Sequence, residues 1–147
     1  MVANSNRYLM DSGIIIRETR GDGRAAALLD ELSSRGALIA SAITVFETYR
    51  GCRTPHEERA TADLFQRIPA LDLTYDAAKT AADLMRRYRG VFSSERAVPD
   101  AMIAATAITV GATFVTLNKK HFAGQPIEGL ETLVLDQESP DWMASAL

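Results

Sequence analysis

Short apolar runs alternate with amphipathic segments along this chain. The runs have the length of strands and are bounded by turn residues, which predicts five strands at residues 7–11, 37–42, 70–73, 113–117 and 131–135. Apolar residues at helical spacing predict helices at residues 22–35, 44–49, 55–67, 75–88 and 99–110, with one more helix beginning at Ser12. The helix at 99–110 is apolar on most sides, so we expect it to be buried and to end at Gly111.

Strands that alternate with helices favour an α/β fold, in which a parallel, doubly wound sheet has helices on both faces. No internal repeat, low-complexity segment or long linker divides the sequence, so we expect residues 1–147 to form a single domain. In such sheets, ligands bind outside the carboxyl ends of the strands. This rule predicts the edge of the sheet at which functional residues should lie.

Composition and charge exclude several classes of function. The chain is 47% hydrophobic and carries a formal charge of −3, which disfavours nucleic-acid binding through bulk positive charge. The single cysteine, Cys52, excludes an internal disulfide framework and a multi-cysteine zinc site, and suits a reducing compartment. The first residues lack the pattern of a signal peptide, and no apolar stretch has membrane-spanning length. We therefore expect a cytoplasmic protein without a membrane partner.

Four oxygen-bearing side chains fall where the topology rule predicts a site. Asp11 ends the first strand, Glu47 lies about one turn into the helix after the second, Asp100 is in the first turn of the buried helix, and Asn118 follows the fourth strand. Carboxylate and amide oxygens are ligands for Mg²⁺ or Mn²⁺. A cation held there would lower the pKa of a bound water and neutralise charge on a phosphodiester under attack.

Each of these residues also has an ordinary structural interpretation. Asp11 could cap a helix, Glu47 could be solvated, Asp100 could complement a helix dipole, and Asn118 could be a turn residue. All four interpretations would have to hold together, at positions that the topology rule selects. His121 has no evident nucleophile or zinc partner in the sequence, so we expect a structural or substrate-peripheral role for it. Serine-hydrolase, Walker A and dinucleotide-binding motifs are missing.

Three strings carry a resemblance to a known family: YLMDSGIII, SAITVFETYRG and VPDAMIAATAITVGATFVTLNKKHF. In this order and at these separations they resemble the PIN domain and, within it, the toxin ribonucleases of the VapC type. The resemblance extends from about Tyr8 to about Leu135. It implies a Mg²⁺- or Mn²⁺-dependent endoribonuclease on a Rossmann-like three-layer α/β/α fold with a central, mainly parallel sheet. It also implies a homodimer that is held inactive by a small antitoxin protein.

The resemblance also implies roles for individual residues. The metal ligands of the family match Asp11, Glu47 and Asp100. Ser12 and Thr116 match the groups that support these ligands, and Asn118 stands where the family often has a fourth acid. Asn118 is therefore expected to be an auxiliary ligand or to position the substrate, and the strength of a second metal site is open. Gly13 is a smaller departure, since many members have Asn there.

Basic and apolar residues near the predicted site suggest its partners. Positive charge could hold an RNA backbone beside the acidic centre through four residues: Arg17, Arg20, Lys119 and Lys120. An Arg of the antitoxin could pair with the acids, while its apolar side chains dock in a groove. We expect that groove to be bordered by residues of two consecutive helices: Val45, Phe46, Tyr49, Leu64 and Phe65.

Two other functions remain open at this stage. A catalytically weak or inactive PIN-like module could bind RNA or a protein partner with the same fold. A receiver-type phosphoacceptor domain also carries acids on a parallel sheet, but this chain lacks the paired acids early in the sequence and a convincing lysine at a strand end. Metal-dependent cleavage of RNA separates the first alternative from the ribonuclease hypothesis.

Overall fold

The computed structural model describes residues 6–143, in which a five-stranded sheet is flanked by helices. Its strands are β1 (Arg7–Met10), β2 (Ala37–Ser41), β3 (Ala70–Leu71), β4 (Thr113–Thr116) and β5 (Glu131–Val134). Its helices are α1 (Ser12–Thr19), α2 (Gly23–Arg35), α3 (Ala42–Arg50), α4 (Pro55–Arg67), α5 (Tyr75–Arg87), α6 (Val98–Val110) and α7 (Lys119–Phe122), with a 3₁₀ turn at Glu95–Ala97. The five predicted strands are confirmed, and each ends one or two residues earlier than expected.

The strands are ordered β3-β2-β1-β4-β5, and every neighbouring pair is parallel. The chain starts at the centre with β1, continues to one edge through β2 and β3, and then reaches the other edge through β4 and β5. The connections from β1 and from β4 therefore leave the sheet in opposite directions. A crevice forms at such a switch point, outside the carboxyl ends of the two central strands.

Each central strand is buried on both faces of the sheet. Leu9 lies in one core cluster, which contains residues of α5 and α6, and it pairs in register with Ile39 and Phe114. The next residue along β1, Met10, lies in a second cluster with residues of α1, α2 and α4. Because successive side chains of a strand point to opposite faces, the two clusters occupy the two sides of the sheet. The three-layer α/β/α architecture is thus confirmed.

Helix α6 is the most buried helix and leads the chain into β4. Its residues 103 to 105, Ile-Ala-Ala, are fully buried, as the lack of a polar face predicts. Gly111 ends the helix in the left-handed region at φ 69°, where glycine carries no Cβ penalty. Within residues 6–143, no helix is long and apolar enough to span a bilayer.

Hydrogen-bonding side chains determine where two functional helices begin. The hydroxyl of Ser41 accepts a bond of 3.1 Å from the N–H of Thr44, so α3 starts two residues earlier than predicted. Helix α7 is absent from the sequence prediction because it is only four residues long. Asn118 caps it by accepting from the N–H of His121 at 3.1 Å. Both helices place site residues at the carboxyl edge of the sheet.

The segment after β5 folds back against α2. Trp142 is 1% exposed and packs in the second core cluster, with the guanidinium of Arg24 4.7 Å from its ring centroid. Arg24 also donates to the carbonyl oxygens of Gln137 at 2.8 Å and of Ser139 at 3.1 Å. These contacts hold residues 137–142 close to the carboxyl edge of the sheet.

Candidate active site

Asp11 lies between β1 and α1 and is 7% exposed. Its Oδ1 accepts a 2.8 Å bond from the N–H of Ser12, which is the helix-capping role that the sequence left open. Its Oδ2 accepts a 2.6 Å bond from the hydroxyl of Thr116 at the end of the neighbouring strand β4. Asp11 is therefore a helix cap whose second oxygen is held by the adjacent strand.

Burial is the largest influence on the ionisation of Asp11. It raises the pKa from 3.8 to about 6, although the hydrogen bonds from Thr116 and Ser12 lower it. Negative charge on Asp100 and Glu47 contributes to this rise of the pKa, so both carboxylates are close enough to repel that of Asp11. A divalent cation placed among them would remove that repulsion.

Glu47 reaches the site from α3 through a hydrogen bond with Ser12. The Ser12 hydroxyl donates to Glu47 Oε1 at 2.8 Å and lies 3.5 Å from Asp11 Oδ1. Glu47 is half-buried, in contrast to the solvated position that an isolated helical Glu usually has. Ser12 thus connects two of the predicted metal ligands, as expected for a supporting residue.

Asp100 is held by two side chains that follow β4. Asn118 Nδ2 donates to Asp100 Oδ2 at 3.1 Å, and His121 Nδ1 lies 2.8 Å from the same oxygen. The amide oxygen of Asn118 is engaged in capping α7, and this bond assigns the orientation of the amide. Asn118 therefore presents a donor to the acidic cluster. This geometry suits positioning of Asp100, which differs from the two roles predicted for Asn118, auxiliary metal ligation and positioning of the substrate; those two roles stay predictions.

His121 contacts the acidic cluster through Asp100, a contact that the sequence analysis did not predict. Its ring packs beside those of Phe92 and Phe122, with centroid distances of 6.2 and 6.1 Å. The expected structural or substrate-peripheral role stays a prediction, and the contact of the ring with Asp100, a predicted metal ligand, adds a definite partner to it. The available signal was the spacing of three residues between Asn118 and His121, which becomes meaningful only once α7 is known to be a helix.

Thr116 links the two halves of the cluster. Its hydroxyl donates to Asp11 and accepts from the backbone N–H of Asn118 at 3.0 Å. Among the ion pairs within residues 6–143, none includes Asp11 or Glu47. The negative charge at this edge is consequently stabilised mainly by neutral donors, and Asp100 alone has a histidine partner.

The donor set fits a hard divalent cation. Three carboxylates approach one edge of the sheet, and their mutual repulsion raises the pKa of the buried member. In the part of the chain that the structure describes, no three His, Cys, Asp or Glu side chains are grouped closely enough to hold one ion as they stand. The carboxylates are instead engaged by their supporting residues: Ser12, Thr116, Asn118 and His121.

A pocket of about 440 Å³, which we call the basic pocket, adjoins Asp11. It is lined by Asp11, Gly13, Arg17, Leu117, Asn118, Lys119, Lys120 and Gln137. Lys119 forms an ion pair of 3.1 Å with Asp136. Arg20, by contrast, donates to the carbonyl of Gly51 at 2.9 Å and pairs with Glu57 at 3.4 Å. These bonds direct its guanidinium toward the α3–α4 connection, and Arg20 lines a neighbouring pocket that shares Gly13 and Arg17 with the basic pocket.

An apolar surface lies on α3 and α4. Phe46 is 62% exposed and Tyr49 is 39% exposed, and the Tyr49 ring stacks on that of Phe65 with a centroid distance of 6.2 Å. Leu64 was expected to border this groove, but it is 1% exposed and belongs to the second core cluster. Its side of α4 faces the core, so the exposed apolar surface is smaller than predicted.

The family of the chain is identified by the proteins to which its sequence is similar. The family model of the PIN domain matches residues 8–124. The chain belongs to the PIN domain family. A relative in Mycobacterium tuberculosis, Ribonuclease VapC19, is 39% identical over 117 residues, covering 78% of this chain and 90% of the relative. The family match ends before β5, so Gln137, which lines the basic pocket, lies outside the matched region.

Solved structures support the same PIN fold. A toxin-antitoxin complex from Klebsiella pneumoniae contains a chain that is 27% identical, with a TM-score of 0.66, over 84% of this chain and 98% of that one. VapBC2 from Rickettsia felis, bound to a DNA fragment from its promoter, contains a chain with a TM-score of 0.70. That likeness covers 88% of this chain and 99% of the other at 19% identity, and supports the fold alone.

Proposed function

We propose that this PIN domain is a metal-dependent endoribonuclease and the toxin of a VapBC-type toxin–antitoxin pair. The observation that carries the proposal is the cluster of Asp11, Glu47 and Asp100 at the switch point of the sheet. The pKa of Asp11 is raised mainly by burial and further by the charges of Asp100 and Glu47. The relative named as a ribonuclease and the fold shared with toxin–antitoxin complexes support it. We further propose that the enzyme acts in the cytoplasm as a homodimer.

Asp11, Glu47 and Asp100 would hold Mg²⁺ or Mn²⁺. When bound there, the cation supplies charge neutralisation at a phosphodiester and a lowered pKa for attacking water. Ser12 holds Asp11 and Glu47 in fixed orientations through its N–H and hydroxyl. Thr116 fixes the second oxygen of Asp11. These bonds keep the carboxylates ordered at one edge of the sheet, and the three acids would move closer together when a cation binds.

Asn118 and His121 orient the third acid. Both contact the same oxygen, Asp100 Oδ2, which leaves Oδ1 of that carboxylate available for a ligand. In this proposal Asn118 positions Asp100 and contributes no ligand charge, and His121 is a positioning residue that acts through Asp100.

RNA reaches the acidic centre through local positive charge. Arg17, Lys119 and Lys120 line the pocket beside Asp11, whereas the whole chain has a formal charge of −3. Phosphates bind such a patch through charge and counterion release, and this binding weakens as salt increases. The proposed substrate is therefore single-stranded RNA that crosses the basic pocket next to the carboxylates.

The proposed antitoxin covers the acidic cluster and the neighbouring apolar surface. A guanidinium group inserted among the carboxylates would satisfy their acceptors by bidentate bonds and compete with the metal. Phe46, Tyr49 and Phe65 offer an adjoining surface for apolar side chains. Co-expression with a small protein encoded beside this chain should restore growth and yield a stable complex that does not cleave RNA.

The test is cleavage of a single-stranded RNA by the purified chain with Mg²⁺, with Mn²⁺ or with EDTA. We expect cleavage that needs a metal, is lost in Glu47→Gln, and persists in Glu58→Gln, a matched substitution of an exposed Glu on α4. If the wild-type chain binds RNA but cleaves none with either metal, the proposal fails. The function would then be that of a PIN-like module that binds RNA without cutting it.

A further inference from the structure

We propose that the basic pocket binds the nucleotide next to the scissile phosphodiester and that Gln137 recognises its base. This inference rests on the proposed ribonuclease function and adds a specificity site to it. The pocket shares Asp11 and Asn118 with the acidic cluster, so a ligand in it is adjacent to the reacting group. A volume of about 440 Å³ lies within the usual range for small-molecule pockets, about 300–1,000 Å³.

One wall of the pocket suits a phosphate. Arg17 comes from α1, and Lys120 comes from α7, so two elements bring cations to the same space. Lys119 also lines the pocket, where Asp136 holds its ammonium group at 3.1 Å. Phosphate oxygens bind both guanidinium and ammonium donors, and each such contact adds a salt-dependent contribution to affinity.

The floor of the pocket suits a flat, uncharged group. Leu117 is half-buried and presents an apolar side chain. Gly13 leaves the space in front of it open, because a Cβ at this position would lie 3.8 Å from Leu117 Cδ1. That distance is ordinary van der Waals contact, so a larger residue at position 13 would fill the pocket without disturbing the backbone. An unpaired base of single-stranded RNA fits such a surface.

Gln137 comes from the C-terminal segment, which is anchored just before Gln137 and at the Gln137 backbone. Before it, the N–H of Leu135 donates to the carbonyl of Thr116 at 2.9 Å, and Asp136 pairs with Lys119. At the residue itself, Arg24 donates to the Gln137 carbonyl at 2.8 Å. The backbone position of Gln137 is thus fixed at the rim of the pocket while its side chain is exposed.

A carboxamide can distinguish bases because it offers a donor and an acceptor side by side. Gln137 also lies outside residues 8–124, the region that the PIN family model matches. The shared domain supplies the acidic cluster, and the chain beyond it supplies the residue that reads the substrate. The base preference of this enzyme should accordingly depend on a residue that the family match does not include.

The first test is the distribution of cut sites in a pool of randomised single-stranded RNA, read by sequencing the product ends. The wild-type chain should prefer one base at a position next to the cut, and Gln137→Ala should reduce that preference about tenfold. Gln125→Ala is the matched control, since this exposed glutamine lines a different pocket. An unchanged preference in Gln137→Ala, with normal cleavage, would overturn the inference and leave the ribonuclease function intact.

The second test measures affinity and does not depend on cleavage. Affinity for a labelled single-stranded RNA is measured by fluorescence anisotropy. Gly13→Asn should weaken binding about tenfold. Lys120→Gln should make the salt dependence shallower, lowering the slope of log affinity against log salt by about 0.7. The fluorescence of Trp142, the single tryptophan, reports whether each variant is folded. If the wild-type chain binds RNA without cutting it, the proposed function fails and the pocket stands; affinities equal to wild type in both variants would refute the pocket.

Discussion

Asp11→Asn should stabilise the metal-free protein at neutral pH. The folded-state pKa of Asp11 is raised from 3.8 to about 6, mainly by burial and further by the charges of Asp100 and Glu47. At about 1.4 kcal/mol per pKa unit, ionised Asp11 costs the fold about 3 kcal/mol. Loss of one charge-assisted hydrogen bond in the amide, about 1.5–3 kcal/mol, offsets much of this gain, so a net stabilisation of about 0–1.5 kcal/mol is expected.

The pH dependence has a definite sign. Below about pH 4, Asp11 is protonated in the folded and unfolded states, and its burial carries no ionisation penalty. Between about pH 4 and 6 the unfolded state loses the proton while the folded state keeps it, so stability decreases as pH rises. Above pH 6 the full penalty is present. The advantage of Asp11→Asn should therefore grow across this window and then level off.

Urea denaturation in EDTA, followed by Trp142 fluorescence, measures this difference. Trp142 is buried in the core beside residues of α1 and α2, so unfolding exposes it. Asp63→Asn, an exposed position on α4, is the matched control and should give no comparable gain. A difference between wild type and Asp11→Asn that does not change with pH would refute the assigned burial and charge repulsion, because a lost hydrogen bond alone is independent of pH.

Three further variants test the surroundings of the cluster. Asn118→Asp replaces the donor to Asp100 by a like charge, so the metal-free protein should lose stability. The Mg²⁺ concentration for half-maximal cleavage should decrease, because ligand charge is added; an unchanged concentration would mean that residue 118 does not influence the metal. His121→Ala should lower kcat about tenfold, and His121→Asn should restore part of it, since its amide can again donate to Asp100; equal loss in both variants would argue against positioning. Trp142→Ala should destabilise the fold by about 3–5 kcal/mol in urea denaturation, and a loss under 1 kcal/mol would mean that the C-terminal segment is not part of the core.

The fold could be predicted because its elements have strong local signals. Buried strands such as β4 are continuous apolar runs, and helices such as α4 begin at a capping Thr followed by Pro. The same topology rule places Asp11 and Asn118 at one edge of the sheet from the sequence alone. That residues 1–147 form one domain stays a prediction.

The features that the sequence could not reveal depend on long-range contacts. His121 becomes a site residue only because a four-residue helix turns its ring toward Asp100, 21 positions earlier in the chain. The guanidinium of Arg20 is directed toward the α3–α4 connection because it pairs with Glu57 and donates to the carbonyl of Gly51. The C-terminal segment is held by Arg24, 113 positions before Gln137. Short helices and single side-chain contacts of this kind have no periodic pattern in the sequence.

The proposed ribonuclease function depends most on whether the three carboxylates, Asp11, Glu47 and Asp100, bind a divalent cation together. Binding of Mn²⁺ to the purified chain can be measured by the loss of the electron paramagnetic resonance signal of free Mn²⁺. We predict saturable binding to the wild-type chain that is weakened at least tenfold in Asp11→Asn and in Asp100→Asn and is unchanged in Asp63→Asn. Equal binding by the wild-type chain and both site variants would contradict the assignment of this cluster as the metal centre.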